Sequence, residues 1–168
     1  MNGDRSDIGR PTDARGVLKA QYRMALKMLD QAIDQCPESL WLSGEGHGAA
    51  YWRLAFHTLF FTHFYLQKDQ HSMVRWSRHR GQLQDPDCPL GSFAPYTKAE
   101  MTEYLEFCRG MLDGCIDAMD LSSPDCGFPW YKQGKLEHQI NNIRHIQHHT
   151  AQLADRLRSA TGTGPEWR

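Results

Sequence analysis

No run of 18 uncharged apolar residues occurs anywhere in the chain, so no transmembrane helix and no membrane partner are expected. Paired cysteines are missing too. The five cysteines (Cys36, Cys88, Cys108, Cys115 and Cys126) are odd in number and include no C-x-x-C. A disulfide framework and a cysteine zinc site are both disfavoured, and a reducing cytoplasm is the simplest compartment. An excess of one charge is absent: 19 Lys and Arg are scattered among 20 Asp and Glu, for a formal net charge of -1. Nucleic acid needs a basic stripe, and none is found, so that partner is not expected either. Residues 1–16 are polar and hold no signal-like apolar stretch. No segment alternates like a strand, and there are no internal repeats.

What is present fits one globular domain of 168 residues, with 40% hydrophobic and 23% charged residues. Four segments carry helical periodicity. The first spans about Asp13 to Gln35, with Leu18, Tyr22, Ala25, Leu29 and Ile33 on one face and Pro37 as its stop. The second spans about Gly46 to Gln67 and is apolar around much of its circumference, which marks a deeply buried helix or an interface. A long connection from Lys68 to Tyr96 follows, of the length that often covers a site. The third helix opens on the capping box Thr97-Lys98-Ala99-Glu100, with Met101, Leu105, Cys108, Leu112, Cys115 or Ile116, and Met119 as its inner face. The fourth runs from Lys135 to Ala160, with Leu136, Ile140, Ile143, Ile146, Leu153 and Leu157 as its apolar set. The expected fold is all-α, a four-helix bundle over residues 13–160, flanked by flexible segments at 1–12 and 161–168.

Nine histidines exceed ordinary usage, and they lie on helical segments and not in a terminal tag. His145 and His149 form an H-x-x-x-H pair, which places two imidazoles one turn apart on one face. Two ligands make a weak site, and a third must come from another helix. His57 is the best candidate because it interrupts the apolar stripe of the second helix between Leu54 and Phe61. A buried ring there needs a partner, and a shared divalent ion supplies one. A hydrogen-bonded core histidine and a chance pair are the plainer readings. His148 lies about 100° around the helix from His149 and is left out. His63 faces away from His57, and His47, His71 and His79 read as surface residues. His138 and Asn142 extend the face of His145, either as a pocket lining or ligand support or as a solvated face. Trp130 and Tyr131 either shape a substrate side or simply pack. Position 146 is Ile, so the H-E-x-x-H base of zinc proteases is lacking, and no carboxylate set of the di-iron kind exists.

The stretch Tyr51-Trp52-Arg53-Leu54-Ala55-Phe56-His57, the run Asn142-Ile143-Arg144-His145-Ile146-Gln147-His148-His149 and the four-helix layout together resemble the DinB-like superfamily of metal-binding four-helix bundles. The resemblance covers about residues 13 to 160. It implies one divalent ion, Zn or Ni, on His57, His145 and His149, with water completing the shell, and a homodimer. It also implies a small-molecule or thiol partner, since members include transferases of low-molecular-weight thiols such as bacillithiol or mycothiol, and metal-dependent hydrolases and isomerases. Three ligands leave a position open, the mark of a reactive site more than a structural one. The expected function is therefore a metal-dependent thiol S-transferase or hydrolase. The alternative is a non-catalytic metal-binding protein of stress response or assembly, and the plainest is a bundle without metal.

Overall fold

The computed structural model describes residues 13–81, 84–85 and 93–167, and every regular element among them is a helix. The segment 1–12, expected to be flexible, lies outside the described residues, as do Pro86, Cys88, Pro89 and Gly91 of the long connection. Helix α1 is Ala14–Gln35, α2 is Glu38–Trp41, α3 is Tyr51–Tyr65, α4 is Lys98–Ala118 and α5 is Lys135–Thr161. Helix α1 packs on α4 and α5, and α3 packs on the same two, so one core lies between all four long helices.

The caps follow from local chemistry. The Asp13 carboxylate accepts from Gly16 N–H at the start of α1, and the chain turns extended at Cys36 ahead of Pro37. The Thr97–Glu100 capping box closes reciprocally at the start of α4, as the sequence predicts. Gly162, at φ +78°, ends α5 in the left-handed region. The tail beyond it packs back on the helices: Pro165 is buried and its carbonyl accepts from Arg158, and Glu166 N–H donates to Gln31.

Two departures from the expected layout have clear causes. Helix α3 starts at Tyr51 and not at Gly46, because Gly46 and Gly48 adopt φ of +72° and +77°, which a right-handed helix cannot contain. The Arg156 guanidinium ties that turn to α5 by donating to the carbonyls of His47 and Ala49. The short α2 carries Trp41, whose indole N–H donates to the Tyr96 carbonyl at 2.8 Å and fastens the end of the long connection.

Helix α3 is the most enclosed element, with 12 of its 15 residues buried. Much of its apolar circumference is covered within the chain, with Phe61 and Phe64 left partly buried. The connection after it lays Tyr96 over it, stacked on Phe56 at 4.6 Å, and places Trp76 beside Tyr96, stacked on Tyr104 of α4 at 4.4 Å. His79, expected at the surface, instead packs its ring on Phe56 and Phe60 and is half-buried. His63 is buried between α3 and α4, paired with the Tyr104 hydroxyl at 3.1 Å.

The inner face of α5 also differs from expectation. Ile140 is 49% exposed, while His138, Gln139 and Asn142 are fully buried. The solvated-face reading of His138 and Asn142 is thereby excluded. Burial of these polar groups is tolerated because most are bonded across helices. Tyr22 O–H donates to Gln139 Oε1 at 2.7 Å, Gln139 Nε2 donates to the Tyr65 carbonyl at 2.9 Å, and Asn142 Nδ2 donates to the Thr62 carbonyl at 3.3 Å.

Two measurements check this account. Thr97→Ala removes one half of the capping box and should lower the unfolding free energy by about 1 kcal/mol in a urea titration. Unchanged stability would contradict a role for the cap. Burial pushes the rings of His63 and His138 down to about 4, below the ordinary 6.5. Between those values the unfolded chain binds more protons than the folded one. Stability is therefore full above pH ~6.5 and declines as pH falls toward 4, by at most about 1.4 kcal/mol per pH unit for each ring. Urea midpoints between pH 7 and pH 5 should fall, and less steeply in His63→Gln. A flat profile in the parent chain would refute the assignment.

Candidate metal centre

Helices α3 and α5 run antiparallel, and their cross-bonds fix the register between them. Gln139 meets Tyr65, and three residues further along α5, Asn142 meets Thr62, three residues back along α3. Five more steps in each direction bring His57 opposite position 147, midway between His145 and His149. One helical turn separates those two, so both rings reach back to His57. The three histidines, each half-buried, offer nitrogens that all lie within 4.8 Å of one another. The ring of His57 stands 4.7 Å from that of His149 and 5.1 Å from that of His145, centre to centre, and those of His145 and His149 are 4.5 Å apart.

The donor set fits a divalent ion. His57 Nε2 and His145 Nε2 are 3.1 Å apart. Two nitrogens each about 2.0–2.1 Å from one ion stand roughly 2.9–3.4 Å apart across octahedral to tetrahedral angles. His57 Nδ1 lies 2.7 Å from the carbonyl oxygen of Gln84, and His149 Nδ1 lies 2.7 Å from Gln152 Oε1. Both partners accept, so Nδ1 of His57 and of His149 carries the proton of its neutral ring, and the His57 Nε2 lone pair accepts from His145 Nε2–H until an ion takes its place. Burial holds all three rings below the ordinary histidine range, with His145 lowered to about 3 and His149 to about 4. The neighbouring histidines add to that shift for His145 and His149, and for His149 the Gln152 contact works against it. All three are therefore uncharged near pH 7, the state in which imidazole binds a metal. Phe61, one turn after His57, walls the group, 4.8 Å from the His57 ring and 5.7 Å from that of His145.

His148 is exposed and stands outside the group, though its ring reaches within 4.9 Å of His149. Asn142 is buried one turn before His145. His138, Trp130 and Tyr131 are gathered elsewhere, in an aromatic cluster at the start of α5. His138 packs on Tyr65 at 4.9 Å, Phe128 at 4.8 Å and Tyr131 at 5.1 Å, while Trp130 is half-exposed and stacks on Phe64. Among the described residues, no ring contact joins these three to the histidine group. Gln84 and Gln152 were not singled out from the sequence. The spacing of Gln152, three after His149, could have revealed it, whereas nothing local points to Gln84.

Comparison with known proteins returns no relative: no family model, no curated protein and no solved structure matches the chain.

Zinc content of tag-free protein tests the group directly. The parent chain should retain about one ion after dialysis, and His148→Ala should as well. His57→Ala, His145→Ala and His149→Ala each leave two imidazoles and should lose it. Undiminished zinc in those three variants would remove the site.

Proposed function

We propose that this chain is a DinB-like four-helix bundle that holds one divalent ion, zinc or nickel, on His57, His145 and His149, and uses it as a thiol S-transferase or hydrolase. The observation that carries the reading is the convergence of His57, His145 and His149, whose ring nitrogens all lie within 4.8 Å of one another. The Gln84 carbonyl and Gln152 Oε1, each 2.7 Å from a ring Nδ1, accept the protons of His57 and His149 and so leave their Nε2 lone pairs to a metal. A structural core histidine needs one partner, whereas three uncharged rings with converging nitrogens need a common one.

When bound, such an ion acidifies a water or thiol at the position that three protein ligands leave open. The chain's own residues hold and orient. Gln84 and Gln152 keep two rings from turning, and Phe61 supplies an apolar wall that limits water on its side. The free thiols Cys36, Cys108, Cys115 and Cys126 accord with a reducing cytoplasmic setting. A homodimer belongs to the same reading.

Zinc- or nickel-loaded protein, assayed with low-molecular-weight thiols against electrophiles and with simple esters, should show turnover. That turnover should disappear on chelation and in His149→Ala. Stoichiometric metal without turnover on any of them would overturn the enzymatic half of the reading and leave metal binding as the function.

A further inference from the structure

Three buried polar atoms on one stripe of α5 have no hydrogen-bond partner: His138 Nε2, Asn142 Oδ1 and His145 Nδ1. Their residues are four and three positions apart, so the atoms occupy successive turns of one helix face. His138 and Asn142 are both 0% exposed. Orphaned polar groups at such depth are rare, and three in one row call for a common explanation.

Their characters are complementary. Gln139 Nε2 donates to His138 Nδ1 at 3.4 Å, which leaves the proton of the neutral His138 ring on Nε2. The Asn142 amide donates to the Thr62 carbonyl and also bonds the Tyr22 hydroxyl, so its unpartnered atom is Oδ1, an acceptor with two lone pairs. His145 Nε2–H donates to His57 Nε2, and an ion bound between the two would take both Nε2 lone pairs and move the His145 proton to Nδ1. With the ion bound, one double acceptor is flanked, a turn away on each side, by one donor. Among the three histidines, His145 alone has no partner at Nδ1, since Gln84 holds His57 and Gln152 holds His149.

We propose that Asn142 is the positioning residue for His145. Its Oδ1 accepts from His145 Nδ1–H on one side and from His138 Nε2–H on the other, each through a bridging buried water. The inference rests on the metal reading of the three histidines. It assigns the third ligand the outer partner that the other two already have. It also ties the ion to the aromatic cluster of Tyr65, Phe128 and Tyr131 around His138.

The test uses the full chain, zinc alone as probe, and competition with a chromophoric chelator. Asn142→Ala removes the acceptor and should weaken zinc binding by about 10–100-fold. Asn142→Asp loses the same amide donor but keeps acceptor oxygens, and should bind close to the parent. Long-range proton–nitrogen spectra of the zinc-loaded parent should show His145 protonated at Nδ1. Equal affinity in Asn142→Ala, failure of Asn142→Asp to recover it, or a His145 proton on Nε2 would each overturn the proposal. The spectrum needs no substitution, so it decides even where a variant fails to fold. Zinc binding that His145→Ala abolishes but Asn142→Ala leaves intact overturns this inference alone. Binding indifferent to His145→Ala overturns the metal reading as well.

Discussion

The contact between α3 and α5 governs the rest of the molecule. One partner is largely apolar, and the other turns His138, Gln139 and Asn142 inward. Polar atoms buried this deeply are tolerated only where they are bonded, and the available acceptors are the carbonyls at the end of α3. Gln139 takes Tyr65 and Asn142 takes Thr62. Those two bonds admit a single antiparallel register, and that register delivers His57 to the gap between His145 and His149. The polar seam that costs stability at one end of the interface is what aligns the donors at the other.

Helix α3 is enclosed from several sides. Within the chain, α4, α5 and the connection that carries Trp76 and Tyr96 pack around it. The same connection brings Gln84 to His57. Its length thus has two consequences: it seals the outer side of α3, and it sets the tautomer of one histidine. The Trp41–Tyr96 bond and the Arg156 clasp on His47 and Ala49 anchor the chain on either side of α3, so the helix is held at its beginning and along its flank.

The sequence by itself determined the four long helices and the three histidines that come together. Asp13, Pro37 and the Thr97–Glu100 box mark helix ends through bonds between near neighbours, and spacings of three and four group side chains on one face, so these features are written locally. The H-x-x-x-H pair is local in the same sense, and His57 stood out as a polar ring in an apolar stripe. Tertiary structure alone decided which face of α5 turns inward. Periodicity shows which residues share a face, but hydrophobicity ranks Ile140 above Asn142, and only the carbonyls of another helix make the polar choice favourable. It also decided the start of α3, the aromatic cluster that gathers His138, Trp130 and Tyr131, and the carbonyl of Gln84 that meets His57. Each of these depends on groups far apart in the chain, and a backbone carbonyl leaves no trace in the identity of the residue that carries it.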